Sequence, residues 1–288
     1  MKMKFEKYFR PTTVQEALDL MKEYGTDCKV IAGGTDVVIR LRARTLRVQA
    51  IIDISAIPEL KGITLSKDKA VIGAAHDLRS LSLDPALLES EWKIVAECAG
   101  HVSSTQIRNL ATLGGNNVNA SPSADTTPAL LISDAVVNVV GPNGARDIPI
   151  DEFFVGPGKT VLEQGELITS FTLPKQEGAA AYHKHAIRGD TDISIVGVGV
   201  RIALDENGVD TMARVALGGV APRSIRVKNV EELLVGTKLT DEDIEKAAEL
   251  ARDSITPITD QRATAEYRKE MVYVNVKNMI REAVAKIG

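Results

Sequence analysis

The chain is expected to fold as an α+β protein. Three patterns in different parts of it say so: helix-strand units broken by glycine turns at the start, an antiparallel meander past Pro174, and two long helical stretches at the end. With 288 residues, 44% of them hydrophobic, it is long enough for about two domains, each with its own core. The boundary is placed near Pro174, giving 1–174, with subdomains of about 1–55 and 56–174, and 175–288.

Phe5 to Phe9 is apolar and aromatic and reads as a strand, Pro11-Thr12-Thr13 as a cap, and Val14, Ala17, Leu18 and Met21 as one helix face that Gly25 ends. Lys29 to Ala32 is a short strand running into Gly33-Gly34-Thr35-Asp36. Val37 to Leu41 resumes helical spacing and Ala50 to Ile54 is a strand, which completes a βαβ-like unit around a glycine turn. From Gly62 to Ala75 two strands flank Ser66-Lys67-Asp68, and helical stretches follow around 84–89 and 92–99.

The stretch 103–125 is rich in small and polar residues and lacks helix or strand periodicity for most of its length. Its apolar flanks favour a loop wrapped around something over a disordered one. Pro128 to Ile132 then reads as a helix start, Ala135 to Val140 as a buried strand and Gly141-Pro142-Asn143-Gly144 as a hairpin turn. Segments 180–184, 193–204 and 209–218, with a turn at 205–208, form the meander, and helices at 241–254 and 264–287 close the chain.

Formal net charge is −4, so no overall positive field exists to hold a nucleic-acid backbone or an anionic membrane. No apolar run reaches the roughly 18 to 20 residues that cross a bilayer, and the opening residues lack the apolar core of a signal peptide, so a cytoplasmic location is expected. Cys28 and Cys98 are the two cysteines. They read as core residues and cannot themselves supply a four-cysteine iron–sulfur or zinc site.

A dinucleotide is held economically by backbone N–H groups presented at a glycine turn, where a side chain would block the approach. Two turns here have that character, Ala32-Gly33-Gly34-Thr35-Asp36 and Thr112-Leu113-Gly114-Gly115-Asn116, each read as following a strand-like segment. Either alone marks an ordinary tight turn. Neither is a P-loop or has GxGxxG spacing, and Gly197-Val198-Gly199 lies inside a predicted strand, where it reads as packing.

Taken together, the two turns, with Asn119-Ala120-Ser121-Pro122-Ser123-Ala124-Asp125 after the second, resemble the FAD-binding subunit of the xanthine dehydrogenase and carbon monoxide dehydrogenase family of molybdenum hydroxylases. Phe9-Arg10-Pro11, Gln106-Ile107-Arg108-Asn109, Gly165-Glu166-Leu167-Ile168 and Asp192-Ile193-Ser194 extend the resemblance over the whole chain. It implies a two-subdomain FAD-binding fold of the PCMH and vanillyl-alcohol-oxidase type, followed by an antiparallel sheet with helices. It also implies that Ile31, Ala32, Gly33, Gly34, Thr35 and Asp36 form one FAD loop and Thr112, Leu113, Gly114, Gly115 and Asn116 the other. Asp125 would face the ribityl chain, Ile168 and Lys184 the isoalloxazine, and Ile193 would cover one ring face where some relatives have tyrosine. An aliphatic residue there can shield the ring but cannot stack on it or donate a hydroxyl bond.

The function so implied is electron relay. The [2Fe-2S] clusters would sit on a small partner subunit and the molybdopterin cofactor on a large one, with NAD, ferredoxin or quinone as the external acceptor. The length fits a separate FAD subunit of a heterotrimer. Two other readings are a self-sufficient FAD-dependent oxidoreductase acting on a small molecule, and a cofactor-free scaffold.

No catalytic residue and no metal site is expected in this chain. His183 and His185 share a strand face at metal-pair spacing but lack a third ligand, and Asp147, Asp151 and Glu152 read as turn and cap residues. Arg40, Arg42, Arg44 and Arg47 form a basic run, read as a solvated face or a dock for an acidic partner.

Overall fold

The structure is a computed structural model that describes residues 5–189 and 191–287. Its first unit is a three-stranded parallel sheet of β1 (Lys7–Phe9), β2 (Cys28–Ile31) and β3 (Ala50–Asp53), in the order β1-β3-β2. The helix Val14–Tyr24 crosses from β1 to β2. Its cap is local: the Thr13 hydroxyl accepts from the Glu16 N–H, and the Glu16 carboxylate accepts from the Thr12 N–H at 2.7 Å. Ala17 and Met21 bury its apolar side against Ile52 and Ile54. The helix Val37–Arg42 follows directly on the first glycine turn.

The second unit is a five-stranded antiparallel sheet. It uses β4 (Ile63–Leu65), β5 (Lys69–Gly73), β6 (Val136–Gly141) and β7 (Gly144–Pro149). The small hairpin β8 (Phe154–Gly156) and β9 (Lys159–Thr160) comes next, then β10 (Leu167–Pro174), which runs through the sheet's centre in the order β4-β5-β10-β6-β7. The third is the antiparallel sheet β11 (Ala179–His185), β12 (Val196–Leu204), β13 (Asp210–Gly218) and β14 (Ile225–Arg226), covered by the helices Lys228–Leu234 and Ala265–Ala285, with Asp241–Asp253 packed against both helices. The mixed α+β architecture is as the patterning requires.

Between the second and third sheets lies the helix Thr126–Ile132, all seven of its residues buried. Pro128 on it packs against the strands at Gly197, Gly199 and Gly218, and a Cβ on Gly197 would come within 3.1 Å of the Tyr182 hydroxyl. The Gly-Val-Gly run therefore serves packing. Arg201, 1% exposed, joins the same layers by donating to the carbonyls of Glu91 and Glu177, and burial lowers its pKa to about 10.

The structure corrects several local expectations. The stretch 103–125 is not irregular throughout, because Ser104 and Thr112 cap the short helices Thr105–Arg108 and Leu113–Val118. The second glycine turn thus follows a helix and a single bridge between Asp77 and Thr112, not a strand. Asp147 lies in β7 and accepts from the Asn138 amide at 2.8 Å, so it is a ladder residue and not a turn residue. Cys98 is fully buried, but Cys28 is only half-buried. Among the described residues, no helix is long and apolar enough to cross a membrane and no cluster of His, Cys, Asp or Glu is placed to hold a metal ion. The His183 and His185 rings lie 6.3 Å apart, and His185 Nε2 shares a hydrogen bond with the Tyr267 hydroxyl at 3.0 Å.

Candidate functional site

The first glycine turn lies against the residues that flank the second. A Cβ on Gly33 would lie 1.8 Å from the Leu110 carbonyl oxygen, so the second segment occupies the space a side chain would need and holds the first turn against it. The requirement for glycine at 33 thus comes from this loop-on-loop contact. A second tie is polar: the Asn119 amide donates to Asp36 Oδ1 at 3.2 Å.

Hydrogen bonding separates the two turns. In the second, Leu113 N–H donates to the His76 carbonyl, Gly114 N–H to the Ala74 carbonyl at 2.8 Å, Gly115 N–H to the Thr112 hydroxyl at 3.0 Å and Asn116 N–H to the Thr112 carbonyl. Ala74 N–H in turn donates to the Thr169 carbonyl on β10, so the turn rests on the central strand next to Ile168, which is buried in the core. In the first turn, no hydrogen bond among the described residues takes up the N–H groups of Gly33, Gly34, Thr35 or Asp36. Gly34 is left-handed at φ +72. Consecutive unpaired N–H groups around a left-handed residue make a concave anion receptor.

Asp125 anchors the other side. Its Oδ2 accepts from Lys184 Nζ at 2.9 Å, and its Oδ1 accepts from the hydroxyls of Tyr182, at 3.0 Å, and Ser194. Lys184 also donates to the His101 carbonyl at 2.8 Å. The two ionic side chains are 4% and 7% exposed, so this is a buried ion pair in which both carboxylate oxygens accept and the ammonium donates to two partners. Burial pushes the Tyr182 phenol and the Cys98 thiol well above their usual ranges, and both stay protonated. Ile193 precedes Ser194 on the loop after β11 and is 54% exposed, while Ile31, on β2, rests its side chain against Gly34.

The structure therefore groups the sequence-derived positions into two sets. Ile31 to Asp36 lie against Leu110, Ala111 and Asn119, the flanks of Thr112 to Asn116, and Asp125, Lys184 and Ile193 gather at a second place, reached from Asn116 through the helix Thr126–Ile132. That connection is polar: the Thr126 hydroxyl donates to Asn116 Oδ1 at 2.6 Å, and Thr127 to Asn117 Oδ1 at 3.1 Å. Asn119, Tyr182 and Ser194 escaped sequence reasoning. Ser194 adjoins a residue already singled out, but nothing local marks Asn119 or Tyr182 as partners of Asp36 and Asp125.

The cradle has the several donors and the close backbone approach that a pyrophosphate needs. Residues 3–176 match the family described as the FAD binding domain in molybdopterin dehydrogenase, and 180–283 the CO dehydrogenase flavoprotein C-terminal domain. The chain is 34% identical over 288 residues to the xanthine dehydrogenase FAD-binding subunit of Escherichia coli O157:H7, covering 99% of this chain and 98% of that one. It is 32% identical to the carbon monoxide dehydrogenase medium chain of Hydrogenophaga pseudoflava, covering 97% of each. In solved structures, carbon monoxide dehydrogenase from H. pseudoflava superposes with a TM-score of 0.94 at 31% identity over 100% of both chains. With both halves matched and relatives covered end to end, the chain belongs to the FAD-binding, medium-subunit family of the xanthine dehydrogenase and carbon monoxide dehydrogenase molybdenum hydroxylases.

Proposed function

We propose that this chain holds one FAD, with its pyrophosphate on the N–H groups of Gly33 to Asp36, and places it between the iron–sulfur clusters of a partner and an external acceptor. The observation that carries this is the open run of donors in the first turn, pressed against the segment leading into a second turn whose own donors are satisfied. Asn116, whose side-chain nitrogen has no acceptor among the described residues, supplies a further donor from the second turn. FAD, when bound, accepts electrons singly from a cluster and gives up a pair.

The residues around that position position and shield. Asp125 fixes Lys184, Tyr182 and Ser194, and through Ser194 the loop that carries Ile193. Because its oxygens already accept three donors, Asp125 is poorly placed to act as a general base on a substrate. Lys184 is neutralised by it. Such a site favours relay over substrate chemistry. In this reading residues 1–174 carry the cofactor, 175–288 close over it, and the complex is cytoplasmic. A small [2Fe-2S] subunit and a large molybdopterin subunit complete it.

The test is spectroscopic. The purified chain should be yellow and release FAD on denaturation, and it should not oxidise purines, aldehydes or carbon monoxide alone. Its visible absorption should bleach when the cluster and molybdenum subunits are added with a reducing substrate. Turnover by the lone chain, or FMN in place of FAD, would overturn the reading.

A further inference from the structure

The basic run takes up no part of the machinery described so far. Between Asp36 and Asp53 the chain carries Arg40, Arg42, Arg44 and Arg47 and no acid, within a protein of net charge −4. All four are exposed, and none joins an ion pair among the described residues, although arginines elsewhere do so repeatedly. Ile39, 63% exposed, stands in their midst. Lys29 on β2 lies near them, and burial and then the charge of Arg40 hold its ammonium below the usual lysine range. Like charges are thus gathered with no carboxylate in ion-pair contact with them among the described residues.

We propose that this surface docks a small acidic one-electron carrier protein, the external acceptor of the relay; the proposal rests on the function argued above. An acidic face meets the unrelieved charge. All four cations are arginine, the residue suited to interface ion pairs, and with one exposed isoleucine they have the make-up of a polar, electrostatically steered encounter. A permanent subunit interface is more apolar at its centre. The place also fits, because Arg40 lies four residues beyond Asp36, about 6 Å along the helix axis. Two oxidised carriers would each take one electron from the reduced flavin, which returns to its oxidised form and releases to water the protons it took up on reduction.

The experiment uses the assembled complex and a strongly acidic plant-type [2Fe-2S] ferredoxin as probe, with binding measured by calorimetry at low and high salt. Exchanging Arg40, Arg42 and Arg47 together for serine should weaken low-salt binding about ten- to hundredfold, whereas the triple lysine variant, which keeps the charge but not the guanidinium fork, should lose only a few-fold. High salt should erase the difference. Equal binding by the serine variant, absence of binding by wild type, or failure of the serine variant to assemble with its partner subunits would each overturn the proposal. Bleaching of the flavin by a reducing substrate in the serine variant shows that the relay stands even where docking fails; its absence in wild type shows the reverse.

Discussion

The two glycine turns look alike in sequence and differ in what their backbones do. Thr112 to Asn116 is a satisfied floor whose donors are bonded to Ala74, His76 and Thr112 and whose Gly114 is buried. Ala32 to Asp36 is an open rim, half-exposed, with its donors free. The segment leading into the floor shapes the rim, because the Leu110 carbonyl sits where a side chain on Gly33 would be. A glycine pair can therefore serve close packing in one place and ligand approach in another, and only the partners of its N–H groups tell which.

The largest effect should come from breaking the floor. On Gly114 a Cβ would meet the Ala74 carbonyl at 2.7 Å and the Ala74 Cβ at 2.9 Å, both on a rigid strand end. Gly114→Val should cost about 4 kcal/mol or more, read as a shift of the urea midpoint. A variant of normal stability would show that the floor yields.

Next comes Asp125→Ala, which strands a buried Lys184 ammonium and should cost about 3 kcal/mol. Lys184→Ala should cost less, since Asp125 would keep the Tyr182 and Ser194 donors. Equal losses by chemical denaturation would remove that asymmetry.

Changing the rim should damage binding more than stability. Gly33→Ala must move the Leu110 backbone away from the first turn, so FAD affinity should fall more than a hundredfold, followed by fluorescence, with a stability loss of about 2 to 3 kcal/mol. Retention of stoichiometric FAD would show that the first turn need not touch the Leu110 segment for the cofactor to bind.

The smallest effect expected is with pH. Burial lowers the pKa of His76, His183 and His185, so the unfolded chain binds protons more readily than the folded one. Their stabilising contribution is complete above the unfolded value of about 6.5 and declines as pH falls through the folded values. Unfolding midpoints should therefore drop modestly between pH 7.5 and pH 5.5. A higher midpoint at pH 5.5 would reverse the sign.

Much of this was legible in the chain itself. The cap at Thr13, the apolar face of Ala17 and Met21, the alternation through Val196–Leu204 and the αL-prone turns are decided within a few residues, by dihedral preference and side-chain period. The short helix after Thr112 was hidden because glycine and asparagine are poor helix formers, and it depends on a cap and on bonds to Ala74 and His76. β7 was hidden because its residues are almost all exposed, which leaves no apolar alternation to read. What only the tertiary structure decided are contacts between distant residues: Leu110 over Gly33, Asn119 on Asp36, and Tyr182, Lys184 and Ser194 on Asp125. Close packing and hydrogen bonding act over a few ångströms in space with no regard to separation along the chain, so no local pattern can announce which glycine is filled by a neighbour and which is left open for a ligand.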